Sequence, residues 1–156
     1  MPAEPVIRRA TPRDAEELTR LRLALLREIG DVPDEATKPS LAAAIRRYFD
    51  AALERDEFVA WVAEADGRLV ASSGLVFLAR PPDAGNPAGA DAYLMNMYTA
   101  PAWRGRGLAR ALLGELLRFA RDSPARRVWL HASDAGRPLY ARAGFVPTTA
   151  DMELRW

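Results

Sequence analysis

A chain of 156 residues, 49% apolar and 28% charged, has the composition of one soluble globular domain with a single sizeable core. Its 22 basic and 21 acidic residues leave a formal charge of +1, so no large single-sign field points to nucleic acid or an anionic membrane as a partner. The lack of cysteine excludes disulfides, thiolate metal sites and cysteine nucleophiles, and a single histidine, His131, excludes an imidazole cluster for zinc, so no metal site is expected.

The N-terminal Met1-Pro2-Ala3-Glu4-Pro5 has no basic stretch leading into an apolar run, and no stretch approaches the length of a membrane span; a cytoplasmic protein is expected. Val6 to Ala10 reads as a first strand. Thr11-Pro12-Arg13-Asp14 then reads as a helix start, with Thr11 capping, Pro12 in the first turn and Asp14 returning a bond to the cap. Leu18, Leu21, Leu25 and Ile29 follow at helical spacing. Gly30 to Pro39 is a polar break, and Leu41 to Leu53 repeats the helical pattern through Ile45, Tyr48 and Phe49. The period then changes. Glu57 to Glu64 is a strand, Asp66-Gly67 a hairpin turn and Arg68 to Ala79 the returning strand. Pro81 to Ala90, rich in Pro, Gly, Ala and Asn, reads as a mobile loop, and Ala92 to Thr99 as a further strand ended by Pro101. Leu108 to Ala120 is a helix burying Leu108, Leu112, Leu116 and Phe119; Arg127 to Ala132 is a strand, Arg137 to Ala143 a short helix, and Gly144 its C-terminal cap. Phe145-Val146 and Met152 to Trp156 make a closing hairpin. This order predicts an α/β (α+β) fold, a mixed sheet with helices on both faces, over residues 1–156 as a single domain.

The stretch from Met97 to Arg110 carries the chemistry. A strand ends, a glycine-rich turn follows, and an amphipathic helix begins at once. Gly105 and Gly107 allow a tight turn and close backbone approach, and the free N–H groups at the helix start, with the helix dipole, seat a phosphate. Arg104, Arg106 and Arg110 add positive charge around that seat. A P-loop requires Gly-Lys-Ser/Thr after its spacer, which is missing, and a dinucleotide fingerprint requires glycine or alanine where Arg110 stands.

Arg104-x-x-Gly107-x-Ala109 resembles the coenzyme A-binding motif of the GNAT family of N-acetyltransferases. Thr99-x-Pro101 resembles that family's entry into the motif, and Leu139-Tyr140-Ala141-Arg142-Ala143-Gly144-Phe145 its later Tyr…Gly-Phe signature, separated from the first motif by a helix and a strand. The resemblance spans the whole chain and implies a mixed, mostly antiparallel twisted sheet of six to seven strands with helices on both faces. It implies acetyl-CoA as co-substrate, a small-molecule or peptide amine as acceptor, direct acetyl transfer and, commonly in the family, a homodimer. By the same resemblance the backbone of Met97, Tyr98 and Thr99 pairs with the amide arm of coenzyme A, Arg104 to Arg110 (with Leu108 and Ala109 at the helix start) hold the pyrophosphate, and Tyr140 donates a proton to the leaving thiolate. Ser133 stands where many members carry asparagine at the cofactor.

On the acceptor side the candidates are Asp91, where some members place a carboxylate, Asn96, a polar residue in an apolar strand, and His131, near where the two central strands separate. Each also has a plain structural reading. Asp31, Asp34 and Glu35 lie in the break between the first two helices, an acceptor-side region in the family. A non-catalytic acyl-CoA-binding sensor and a phosphate-binding regulatory domain are the alternatives in other classes.

Overall fold

The computed structural model describes residues 3–32, 34–148 and 150–156. Strands β1 (Val6–Arg9), β2 (Phe58–Ala65), β3 (Arg68–Ala79) and β4 (Ala90–Thr99) pair antiparallel in that order, and β5 (Arg127–Trp129) lies parallel to β4 at the sheet edge. The β2–β3 turn is as the sequence predicts. Asp66 and Gly67 both take positive φ, 50° and 73°, the conformation that follows the twist of a two-residue hairpin. A parallel neighbour cannot be reached by a hairpin, and α3 (Leu108–Asp122) makes the crossover from β4 to β5.

Helices α1 (Ala15–Glu28) and α2 (Lys38–Glu54) cover one face of the sheet, and α3 with the short α4 (Arg137–Arg142) the other. Covering both faces explains why β2 is almost continuously buried rather than alternating. On the first face Leu18, Leu21, Ile45 and Phe49 pack over Phe58 and Val62, with the Phe49 and Phe58 rings 5.1 Å apart. On the second, Leu113 and Leu116 pack over Leu75, Ala92 and Leu94, and Leu108 and Leu112 over Ala63, Val70 and Ala71. Gly74 of β3 belongs to the first packing, because a Cβ there would overlap the Phe58 ring. The start of α1 is tied to the sheet by Asp14. Its carboxylate accepts from the Thr11 amide at 2.7 Å and from both Nη atoms of Arg8, whose Nε reaches Glu64 of β2.

Three expectations need correction. The sheet has five strands among the described residues, not six to seven: residues 145–148 and 150–156 form no closing hairpin, and Val146, Met152, Leu154 and Trp156 lie exposed. Pro147 removes an N–H from the first of those runs, and a three-residue β5 offers little edge to pair against. The segment read as a mobile loop is a hydrogen-bonded turn, in which Asp83 Oδ1 accepts from the Gly85 and Asn86 amides and buried Asn86 donates to Ala90 O and Asp91 Oδ1. β5 stops at Trp129, so His131 lies beyond the strand. No helix among the described residues is long and apolar enough to cross a membrane.

Candidate active site

β4 and β5 pair only over Asp91–Tyr93 and Arg127–Trp129. β4 then runs on to Thr99, still paired with β3 but, among the described residues, with no strand on its other side, so the sheet splits between β4 and the edge strand β5. A β-bulge in β4 coincides with the split. Ser72 pairs with Tyr98 but Gly74 with Met95, leaving Ser73 opposite both Asn96 and Met97. Asn96 holds the bulge at φ 59°, which asparagine tolerates better than most residues, and Ser72 Oγ donates to its carbonyl at 3.1 Å. The extra residue re-aims the strand: Leu94 and Met97 both pack toward α3, while Met95 and Tyr98 both pack toward α1 and α2.

The glycine-rich turn lies at the end of this re-aimed strand. Gly105 and Gly107 take φ of 75° and 78°, which requires glycine, and a Cβ on either would meet no protein atom, so the space before them is open. Among the described residues, none of the six consecutive amides from Gly105 to Arg110 has a protein acceptor; the α3 ladder begins with the Ala111 amide bonding to Gly107 O. Unpaired N–H groups in a row at the N-terminus of a fifteen-residue helix fit a pyrophosphate by both hydrogen bonding and dipole. The arginines divide. Arg104 turns away from the cradle, its Nε donating to Thr99 O at 3.0 Å and its Nη2 pairing with Glu28 at 2.6 Å, so it staples the turn to α1. Arg106 lies over the Trp103 ring, 4.6 Å from its centroid. Arg110 is exposed beside the cradle and, among the described residues, in no ion pair.

Tyr140 sits on α4 across the split. It is 8% exposed and packs its ring edge-on to Phe145, with centroids 5.8 Å apart. Burial, then the neighbouring Tyr93, push its phenol above the ordinary value, so it keeps its proton at neutral pH. Ser133 sets the turn before α4: its Oγ and carbonyl both accept from the Gly136 amide, and a Cβ on Gly136 would lie 3.2 Å from Ser133 Oγ and 3.1 Å from Tyr140 Cε2. Gly144, at φ 97°, ends α4 as expected.

On the acceptor side, Tyr93 Oη and His131 Nδ1 share a 2.9 Å hydrogen bond, and the Tyr93 and Trp129 rings stack with centroids 4.4 Å apart. The Trp129 Nε1 donor is buried with no hydrogen-bond partner among the described residues. Asn96 Oδ1 accepts from Arg22 Nη1 of α1. Asp91 belongs to a different constellation, at the far end of β4. Burial opposes its ionisation, but Arg127 at 2.8 Å and Arg80 at 3.2 Å hold its carboxyl below the usual range. Asp34 Oδ1 caps the turn into α2 through the Thr37 amide and hydroxyl; Glu35 pairs with Arg27 and Lys38; Asp31 is exposed. The split thus brings together Tyr93, Asn96 and His131, with Arg22 on the same face. Sequence reading missed Arg22, although one signal marked it: it interrupts the apolar stripe of α1 four residues after Leu18 and three before Leu25.

A model of the acetyltransferase (GNAT) family matches residues 24–145. The chain belongs to the GNAT family. It is an acetyl-CoA-dependent N-acetyltransferase. An aminoglycoside N(6')-acetyltransferase type 1 from Stenotrophomonas maltophilia is 34% identical over 131 residues, 84% of this chain and 75% of its own length. A glucosamine 6-phosphate N-acetyltransferase from Trypanosoma brucei brucei is 28% identical over 88 residues, 56% of this chain and 58% of its own. Among solved structures, a predicted acetyltransferase from Clostridium acetobutylicum with acetyl-CoA superposes with a TM-score of 0.87 at 31% identity, covering 97% of this chain and 96% of that one. The GNAT family assignment agrees with the split sheet and the amide cradle.

Proposed function

We propose that this GNAT enzyme transfers the acetyl group directly to a small-molecule amine, with Tyr140 as general acid. The observation that carries the reading is the cradle of unpaired amides, Gly105 to Arg110, at the end of a strand freed by the sheet split. Acetyl-CoA bound there supplies the acetyl group as an activated thioester. The cradle fixes its pyrophosphate, and the unpaired edge of β4 from Leu94 to Thr99 gives its amide arm a strand to lie along. At the split, backbone N–H groups of Met97 to Thr99 polarise the carbonyl that the amine attacks. The Tyr140 hydroxyl, kept protonated by burial, gives its proton to the departing sulfur. His131 takes the proton from the amine, since imidazole is the usual acceptor near neutral pH; Asn96 does not titrate and Asp91 is held by two arginines. Ser133 acts through Gly136, fixing the α4 turn that presents Tyr140.

The test begins with binding. A ligand bound only by the folded state stabilises it by about 2.7 kcal/mol at roughly a hundredfold excess over Kd. Acetyl-CoA therefore raises the melting temperature, while NAD and ATP at equal concentration do much less. Thiol release with a panel of amines then separates a transferase from a sensor, which binds without releasing thiol. A shift from ATP as large as that from acetyl-CoA would reduce the cradle to a general phosphate seat.

A further inference from the structure

Arg22 occupies a place where an amphipathic helix carries leucine, yet it is an arginine held half-buried over the sheet. The protein acceptor it reaches is the amide oxygen of Asn96, at 2.5 Å. Among the described residues the other half-buried cations, Arg8, Arg20 and Lys38, each have a carboxylate in ion-pair contact; Arg22 has none. Burial pushes the Arg22 guanidinium down, whereas Arg8 and Arg20 are raised by their carboxylates. A partly desolvated charge without a counter-ion is costly, and such a charge is ordinarily matched by an opposite one. The groups whose fields reach it are the hydroxyls of Tyr48 and Tyr93 and the exposed carboxylate of Asp31 in the α1–α2 break. Through Asn96 it stands at the bulge beside the split, where the transferase reading has the amine attack.

We propose that the acceptor is an amine that also carries an anionic group, a carboxylate or a phosphate, and that Arg22 binds that group. This rests on the transferase reading above. It sets the cleft against a polycationic amine, whose binding calls for several carboxylates where this face presents a guanidinium, two phenols and the single exposed carboxylate of Asp31. Arg22 does not touch the reacting atoms. It selects the acceptor and leaves the acetyl transfer to the groups at the split.

The experiment measures thiol release at saturating acetyl-CoA with matched acceptors: glucosamine 6-phosphate against glucosamine, alanine against alaninamide at equal free-amine concentration, and kanamycin as the polycation. One anionic member is expected to exceed its neutral twin in kcat/KM by roughly ten- to hundredfold, the range of a charged hydrogen bond. Whichever pair responds tells phosphate from carboxylate. Arg22→Met should raise KM for that acceptor by the same order and leave the neutral twin's KM alone, and Arg22→Lys should recover much of the loss. If the methionine variant does not fold, the wild-type ratios and the lysine variant still decide. Equal use of both twins, preference for kanamycin, or a loss in Arg22→Met shared by every acceptor would overturn the proposal; the last would make Arg22 only a support for the bulge. Should no amine in the panel react, the coenzyme A-loaded protein is titrated with the N-acetyl products of both pairs, and lack of preference for the anionic ones overturns it equally. Failure of the transferase reading is separate: it shows as no acetyl-CoA binding before any acceptor is added, or as binding with neither thiol release from any amine nor affinity for any of the N-acetyl products.

Discussion

Tyr140 and Arg104 show how differently two motif residues are used. Arg104 is the first residue of the coenzyme A motif, yet its guanidinium joins Glu28 and Thr99 O, so its charge is spent on the fold rather than aimed at the cradle. Tyr140 is fixed by packing on Phe145 and by the Ser133–Gly136 turn, leaving its hydroxyl as the part without a structural task. Tyr140→Phe keeps the ring and so the packing, and removes only the proton. Turnover should fall by ~10²–10⁴, the usual range for a general acid, with acetyl-CoA affinity little changed. Steady-state kinetics beside a calorimetric titration on one preparation reads both, and near-native turnover with intact binding would make Tyr140 a packing residue.

At the scale of elements, the turn from β4 into α3 and the seating of the β2 residue Phe58 over β3 each depend on one glycine, for opposite reasons. Gly107 faces open space and is needed for its left-handed backbone and for the room before it. Gly107→Glu strains the turn and places a carboxylate among the unpaired amides, where it takes their hydrogen bonds and repels a pyrophosphate; calorimetry on the folded variant should find coenzyme A binding nearly abolished. Gly74 faces no space at all. A methyl group there runs into the Phe58 ring, which is 1% exposed and stacked on Phe49, so it has nowhere to go. Gly74→Ala should destabilise by ~1–3 kcal/mol, as overpacked cores do, read as a lower denaturant midpoint at unchanged slope.

For the whole molecule, three carboxylates hold separate parts of the sheet and respond alike to acid. Glu17 is lowered to about 2, first by Arg20 and also by the Leu69 amide, and joins α1 to β3. Asp14 and Asp91 are partly opposed by burial but still lowered by Arg8 and by Arg127 with Arg80. A carboxylate whose folded pKa lies below its unfolded value binds fewer protons when folded. Its stabilisation is therefore full above the unfolded value, near 4, and is lost as pH falls through the folded one. Melting temperature should hold from pH 7 to about 5 and then fall steadily toward pH 2, and a flat profile across pH 5 to 3 would show these pairs to be ornamental to stability.

Local signals are enough for most of the elements and for the glycine turn into α3. Hydrophobic period, Asp66-Gly67 and the glycines at 105 and 107 specify helices, a hairpin and a left-handed turn ahead of a helix through backbone preferences that act within a few residues. That is why the chain order and the family resemblance are legible in the sequence. The closing hairpin was not, because alternation at Met152, Leu154 and Trp156 says that a strand is possible but not whether an edge exists to receive it. The bulge at Asn96 likewise depends on β3 offering one residue against two, and Asp91, Asn96 and His131 look equivalent along the chain until the fold puts Asp91 between two arginines at the start of β4, Asn96 in the bulge and His131 past the end of β5 against Tyr93. Arg22 and Asn96 are 74 positions apart. Only the tertiary structure brings such a pair together, because whether a charge finds a counter-ion is decided by what packs against it and not by its neighbours in sequence.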